Sequence, residues 1–360
     1  MYNCYFSELL VLVLLLASGI RIFLLKNPRI DCFAAFSPLA LIFSVITLLC
    51  FGASVFNFSI LILSFLSFLT NFRSVLRLRS KLIVDHYGNA FLISTIVELI
   101  LTLLTLAFLF VHRPANLVPQ KFSAQKTQFL LTGNTLSEIR IKNEFFKGQK
   151  TTGSLFVYAP DTDDEIAAKV YSENPVLVFA GNFSAPVQNY EPYFLILAKK
   201  GYTVAAADFY TRDAAVFKEN AGGFFQRHAD SKFFRYFFSK ILRFSDEKKF
   251  SEIQQKDKEN SKLKYSTLTK LALGLFGTET KVFYLTDGIG FETINGVIEE
   301  NSKNATGFYS LNRIDEYKTS GFGFIEQTDP IFAAKFGLKR DKSLFIPRYA
   351  ANKTIENVIK

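Results

Sequence analysis

The chain has 360 residues, with 42 Lys and Arg against 32 Asp and Glu, so its formal net charge is +10. Residues 1–113 hold 8 of the basic and 4 of the acidic residues, which leaves 34 and 28 in the remainder; this mild, dispersed excess argues against nucleic-acid binding. All three cysteines, Cys4, Cys32 and Cys50, precede residue 113, which excludes a disulfide, a thiolate nucleophile and a cysteine-based zinc site from the rest of the chain.

Four apolar segments in the first 113 residues have the length of membrane-spanning helices, which need about 20 mostly apolar residues. They are residues 9–25, 32–53, 55–72 and 90–111. The first lacks a basic leading region and a small-residue cleavage site, so it is interpreted as an anchor and not as a removed signal peptide. The second and third are nearly continuous, which predicts a tight hairpin around residues 52–57.

The loops between these spans differ in charge. The first and third loops, counted with Arg21 near the end of the first span, contain seven Lys and Arg residues, whereas the hairpin loop contains no charged residue. The positive-inside rule therefore places the first and third loops in the cytoplasm and both termini outside it. We expect an integral plasma (inner) membrane protein whose C-terminal domain is extracytoplasmic, which is periplasmic in a Gram-negative-like cell.

Two ionisable residues, Arg21 and Glu98, lie within the predicted spans. A mutual ion pair, or snorkelling of Arg21 to the interface, accounts for them without a transport role.

The remainder predicts a polar tether over 114–136 and an α/β domain over 137–360. Two alternating segments, 137–146 and 153–160, predict a hairpin. From residue 176, short apolar strands alternate with helical segments, and SLFI before the last helix is the final predicted strand. Such alternation predicts a doubly wound α/β sheet covered by helices on both faces.

Three segments carry a resemblance to a known family. They are NPVLVFAGNFSAPVQNYEPYFLILAKKGYTVAAADF, KVFYLTDGIGF and FGFIEQTDPIF, in this order. Residues 153–360 resemble an α/β-hydrolase, and are most similar to the platelet-activating-factor acetylhydrolase and dienelactone-hydrolase branch. The resemblance implies an oxyanion loop, a nucleophile elbow and an acid-bearing turn at these three segments.

The elbow lacks its nucleophile. In the family pattern Gly-x-Ser-x-Gly the serine follows a strand at a sharp turn, and this chain has Gly288 in that position. The resemblance places the acid at Asp329, the oxyanion loop at Asn182 and Phe183, and the second oxyanion amide at Ile289. The histidine position has no histidine, and Asn352 is the nearest match.

Two other residues offer alternative chemistry. Asp287 is a candidate carboxylate nucleophile, although a helix cap or a hydrogen bond near the elbow also accounts for it. His228 is the only histidine beyond residue 113. It is either a residue that reaches the site from a lid or an ordinary surface or packing residue. One histidine with scattered acids predicts no metal site, and no cofactor is expected.

An insertion at about 209–262 separates two of the predicted elements. It contains the pattern of a basic amphipathic helix. Such a helix lies at the membrane surface, forms a lid over an apolar pocket or packs on the sheet, and the sequence leaves these three alternatives open. The apolar face of this pattern comprises Phe233, Phe234, Phe237, Phe238, Ile241 and Leu242.

The sequence predicts a membrane-anchored, hydrolase-like pseudoenzyme that binds a lipid-like ligand or a membrane-protein partner and no nucleic acid. Two other functions stay open: an active ester or lipid hydrolase with an atypical nucleophile, and a structural membrane scaffold.

Overall fold

The chain forms two compact units, the membrane unit Met1–Pro114 and the C-terminal unit Ala115–Lys360. This division lies one residue from the predicted end of the membrane region. The computed structural model describes residues 2–24, 29–51, 55–84, 86–113, 117–146, 148–161, 173–181, 187–211, 213–214, 244–287, 291–311 and 344–359.

The described part of the membrane unit contains four helices that are long and apolar enough to cross a membrane. This confirms four long apolar helices in the predicted region, although the first begins at Tyr2 and not at residue 9. The helices are α1 (Tyr2–Leu24), α2 (Phe36–Phe51), α3 (Val55–Arg79) and α4 (Asn89–Val111).

The first and third loops of the membrane unit lie at the same end of the bundle. Each contributes a two-residue strand, β1 (Arg29–Ile30) and β2 (Ile83–Val84), and the two strands pair antiparallel. The pairing agrees with the expectation that these two basic loops share one side of the membrane.

Arg21 is buried at this end of the bundle, with 1% of its side chain exposed. Its Nη1 donates to Asp31 Oδ2 at 2.8 Å, its Nη2 donates to Asn71 Oδ1, and the Tyr87 hydroxyl donates to the same Asp31 oxygen at 3.0 Å. Both predicted explanations are therefore wrong: Arg21 does not snorkel, and its ion-pair partner is Asp31, whereas Glu98 accepts from Thr70 at 2.5 Å.

The interior of the membrane unit mixes polar side chains with apolar ones such as Leu12, Ile60 and Leu109, and its surface is apolar. Leu, Ile and Phe side chains face outward along all four helices. Small polar groups let helices approach closely and bond to one another within lipid. The buried polar residues on the helices are Glu8, Ser18, Arg21, Ser37, Ser44, Thr47, Asn57, Ser64, Ser67, Asn71, Ser74, Thr95 and Thr102.

The C-terminal unit is built on a seven-stranded mixed sheet. Its strands are β3 (Ala124–Thr132), β4 (Arg140–Ile141), β5 (Thr151–Pro160), β6 (Val176–Ala180), β7 (Val204–Phe209), β8 (Val282–Thr286) and β9 (Ala305–Ser310). Their order is β4-β3-β5-β7-β6-β8-β9. Pairing is antiparallel from β4 through β5 to β7 and parallel from β7 through β6 and β8 to β9.

Helices cover both faces of this sheet, as predicted for an α/β domain. Alternate residues of β6 point to opposite faces, with Leu177 and Phe179 in one core and Val176 and Val178 in the other. The first core is closed by α5 (Glu191–Lys199) and α8 (Phe345–Val358), and the second by α6 (Glu247–Phe276) and α7 (Phe291–Glu300).

The predicted tether over 114–136 is wrong in its second half. Residues 124–132 form β3, which pairs with β5 along nearly its whole length. Most of its side chains are exposed, so the segment looks polar in sequence, and its backbone is held by its neighbours in the sheet.

Three other boundaries differ from the predictions. Within the predicted strand 137–146, only β4 is extended, because the segment is interrupted by two single turns of 3-10 helix. The SLFI strand is wrong at its end, since Phe345 begins α8. Helix α6 begins at Glu247, so the last part of the predicted insertion 209–262 is the first half of this helix, in which Ile253 and Asn260 are buried.

Candidate functional site

Three neighbouring parallel strands end at one edge of the sheet. The chain leaves β6 for β7 on one side, and β8 lies on the other side of β6. In open α/β sheets, ligands bind outside the carboxyl ends of the strands at such a reversal of direction. The residues at this edge are Gly181 after β6, Asp208 in β7 and Asp287 after β8.

Asp208 is a buried carboxyl group, 4% exposed. Both its oxygens accept from the backbone amide of Val187, at 3.0 and 3.2 Å. Burial raises its pKa to about 7, although the Val187 amide and the charge of Lys264 oppose this shift. Asp208 therefore keeps its proton to a higher pH than an ordinary carboxyl group does.

Gly181 allows the close approach of Asp208. A Cβ atom built on Gly181 would lie 2.2 Å from Asp208 Oδ1, so a side chain at 181 would displace the carboxyl group. The Gly181 amide also donates to the Ala207 carbonyl at 2.8 Å. Strand β7 thus holds both flanks of segment 182–186, where the resemblance places the oxyanion loop: the Ala207 carbonyl binds Gly181 and the Asp208 carboxyl group binds Val187.

Asp287 follows β8 and accepts from the hydroxyl group of Tyr190. Tyr190 is fully buried immediately before α5, and its ring packs on Phe179 with 4.5 Å between centroids. Burial and then the charge of Asp287 raise the pKa of Tyr190 well above its usual value, so this phenol stays protonated and donates. The bond joins the start of α5 to the end of β8.

Tyr265 on α6 ties the other face of the sheet to the same strand. Its hydroxyl donates to the Leu285 carbonyl at 2.6 Å, and burial raises its pKa. The neighbouring Thr286 hydroxyl, also buried, makes no hydrogen bond to any described residue. The end of β8 is therefore held from both faces and retains one unused polar atom.

This edge presents two carboxyl groups and two protonated phenols that donate hydrogen bonds. Acyl transfer through a covalent intermediate needs a nucleophile and a base that takes its proton. Asp287 is the candidate nucleophile that the sequence predicted at this edge, and its observed partner is a phenol and not an imidazole. No group of three or more His, Cys, Asp or Glu in the described chain is arranged to hold a metal ion.

The structure describes two of the predicted site residues, Asp287 and Asn352. Asn352 is exposed on α8, whose buried side carries Ala351 and Thr354. Asn352 therefore faces away from the core that α8 covers. The other predicted site residues and lid residues lie outside the described ranges: Gly288, Ile289, Asn182, Phe183, Asp329, His228, Phe233, Phe234, Phe237, Phe238, Ile241 and Leu242.

Sequence analysis did not identify the roles of Asp208, Tyr190 and Tyr265. One sequence feature points to Asp208: it is an ionisable residue at the end of the alanine-rich strand VAAADF. No local sequence feature points to Tyr190, because its partner Asp287 is 97 positions further along the chain.

Comparison with known proteins matches one part of the chain. The family model described as TP_0976_N, N-terminal domain, matches residues 2–111, which coincide with the four helices of the membrane unit. No curated protein and no solved structure matches the chain.

Proposed function

We propose that this protein is a membrane-anchored, hydrolase-like protein that has lost catalysis and uses the edge of its C-terminal sheet to bind a lipid-like ligand or a membrane-protein partner. The four apolar helices provide the anchor. The C-terminal unit provides the binding site, and its position outside the cytoplasm follows from the charge of the loops.

One observation carries the proposal. The carboxylate that follows β8 is bonded to the buried phenol of Tyr190, next to a position where the sequence has Gly288 in place of a nucleophile. The turn thus retains a polar anchor at the topological switch point, where ligands bind in such sheets. Asn352, the nearest match to the histidine, is exposed on α8 and supplies no base.

The experiment measures turnover and binding on the same sample. We expect the full chain in lipid nanodiscs to hydrolyse p-nitrophenyl butyrate and a fluorescent phospholipid ester no faster than empty nanodiscs. We also expect saturable binding of a fluorescent lysophosphatidylcholine, weakened in Tyr190→Phe, which removes the bond to Asp287 and keeps the ring. Tyr349→Phe, at a half-exposed position on α8, is the matched control.

An active hydrolase with Asp287 as nucleophile is the second candidate, favoured by the position of Asp287 directly after β8. It predicts turnover well above background that Asp287→Asn and Asp329→Ala both abolish. Absence of turnover together with absence of saturable lipid binding would instead favour the partner or scaffold function, which needs no ligand pocket.

A further inference from the structure

Strand β3 has a neighbouring strand along only part of one side. It pairs with β5 from Ala124 to Thr132, whereas on its other side β4 pairs only with Leu131 and Thr132. Residues 125–129 of β3 therefore form an open edge of the sheet in the described part of the chain. The first four of them are exposed and the fifth is half-buried. An edge of this kind is a template on which another strand pairs.

The hydrogen bonds of β3 show which of its backbone groups point to the open edge. In an antiparallel pair, residues that bond to the facing strand alternate with residues that point away from it. The Ser123 carbonyl accepts from the Asp161 amide at 2.9 Å, so the odd-numbered residues of β3 bond to β5. On the opposite side, the Leu130 carbonyl accepts from the Lys142 amide at 2.7 Å. The even-numbered residues therefore point outward.

Two residues of the open edge have unused backbone groups. The amides and carbonyls of Lys126 and Gln128 point outward and bond to no described residue. Ala124, the preceding even-numbered residue, is only 2% exposed, so its backbone is covered. At the other end, the Leu130 carbonyl is already bonded. A second strand can thus pair with residues 125–129 and not beyond them.

The charge of Lys126 does not protect the open edge. Proteins often guard a sheet edge with lysines, whose charge repels an approaching strand. The amine of Lys126 instead bonds to the carboxylate of Glu191. It lies over the rings of Phe156 and Tyr158, at 5.2 and 5.4 Å from their centroids. Lys126 is the one charged residue in the sequence of the open edge, so this edge presents no unpaired charge to a second copy.

The open edge is complementary to itself. When two identical strands pair antiparallel about a two-fold axis at Thr127, Lys126 of each copy faces Gln128 of the other. The Lys126 amide then donates to the Gln128 carbonyl, and the Gln128 amide donates to the Lys126 carbonyl. The axis repeats both bonds, so every outward backbone group of these two residues is paired. Thr127 faces its own copy, and such Thr–Thr pairs stabilise antiparallel strands.

The membrane favours a second copy as the occupant of the open edge. Two short strands pair only weakly in water. Four apolar helices are long enough to hold each copy in the plane of a membrane, which raises the effective concentration of one copy around another. An extended peptide in solution has no such advantage.

We propose that the open edge of β3 is a dimer interface, at which two copies of this chain pair residues 125–129 about an axis at Thr127. The sheet of one copy then continues into the sheet of the other. Strand β5 separates β3 from β7, so each copy keeps its own carboxyl-end site, and the dimer forms whether or not that site binds a ligand.

The test is disulfide cross-linking of the full chain. Cys4, Cys32 and Cys50 are replaced by serine, and Thr127→Cys is introduced. The protein is reconstituted into phosphatidylcholine–phosphatidylglycerol vesicles and oxidised with copper–phenanthroline. Residues that face each other without exchanging hydrogen bonds have Cα atoms about 4.5 Å apart, within reach of a disulfide. We expect a cross-linked dimer on a non-reducing gel.

Gln125→Cys is the matched control, because Gln125 is exposed on the same face of β3. In the paired strands the two copies of residue 125 are offset by four positions, or about 13 Å, which is too far for a disulfide. We expect this variant to form the dimer at least tenfold more slowly. Equal rates for the two cysteines, or no cross-linking of Thr127→Cys, would overturn the proposal.

A second pair of variants tests the backbone bonds in the Thr127→Cys chain. Gln128→Pro removes an outward amide without removing a bond to β5, and should lower the cross-linking rate about tenfold. Gln128→Ala removes the same side chain, keeps the amide and should leave the rate unchanged. Each variant is checked for insertion and by circular dichroism. A rate unaffected by Gln128→Pro also overturns the proposal, and the comparison of Thr127→Cys with Gln125→Cys decides if Gln128→Pro does not fold.

Discussion

The interior of the membrane unit contains serine, threonine and asparagine among its buried apolar residues, whereas the interior of the C-terminal unit is made mainly of the apolar side chains of β5 to β8 and their covering helices. The outer surfaces are reversed in the same way, with leucine and phenylalanine outward in the first unit and charged residues outward along α6 in the second. Each unit thus matches its surface to its solvent.

The difference shows which force holds each unit together. In water, burial of apolar surface drives folding at about 25 cal/mol per Å². Lipid tails give no such drive, so helices in a bilayer associate through close packing and polar contacts. The same substitution should therefore change stability by different amounts in the two units.

The largest effect is expected where a charge loses its partner in the membrane unit. Asp31→Ala leaves the guanidinium of Arg21 buried without its counter-ion, which typically costs about 3–5 kcal/mol. Urea unfolding of the full chain in detergent, followed by circular dichroism, measures the change. Glu279→Ala removes the exposed partner of Lys303 in the C-terminal unit and serves as the control; a similar loss in both variants would contradict the prediction.

The stability of the C-terminal unit should depend on pH through Asp208. Its carboxyl pKa is about 7 in the folded protein against an ordinary 3.8, so the folded state binds the proton more tightly. Protonation of Asp208 therefore contributes at most about 4 kcal/mol to the free energy of unfolding. This contribution is fully present below about pH 4 and is lost as the pH rises through about 7. In Asp208→Asn the free energy of unfolding should depend less on pH between pH 4.5 and 8. An unchanged pH dependence would mean that other groups cause it.

A matched pair of leucines tests the role of apolar packing. Leu195 on α5 is fully buried, so Leu195→Ala should destabilise the C-terminal unit by about 2–5 kcal/mol. Leu103 on α4 is 49% exposed on the outer surface, where lipid replaces the lost contacts, so Leu103→Ala should change little. Hydrogen exchange of peptides from each helix in the full chain reports the two units separately.

The smallest effect concerns two glycines of the C-terminal unit. Gly181→Ala forces Asp208 to move and should cost about 1–3 kcal/mol, as other overpacking substitutions do. Gly274→Ala, within α6 with no atom near the new methyl group, should be neutral or stabilising. Equal effects in urea unfolding would mean that the contact between Gly181 and Asp208 relaxes freely.

Features that depend on local composition were predictable from the sequence. The four spans follow from long apolar segments, and β6, β7 and β8 follow from short apolar segments between helices. Strand β3 was missed because most of its side chains face solvent and its hydrogen bonds come from β5. The start of α8 was missed because SLFI has the composition of a strand, and packing against the sheet overrides that preference.

The site depended on contacts between distant parts of the chain. Asp287 was identified from the elbow pattern, but its bond to Tyr190 crosses from the end of β8 to the start of α5. Asp31, the partner of Arg21, lies ten positions away in a loop outside the apolar spans, so the composition of the spans does not reveal it.

The seven-residue spacing of Asn57, Ser64 and Asn71 makes α3 sensitive to changes in its length. One inserted residue turns every later side chain by about 100° around the helix axis. An insertion after Ser64 would rotate Asn71 and Ser74 toward the acyl chains and bring leucine and phenylalanine inward. The angular position of the polar residues around the axis of α3 is therefore constrained, as well as the hydrophobicity of the helix. Substitutions should be tolerated there far more readily than insertions or deletions.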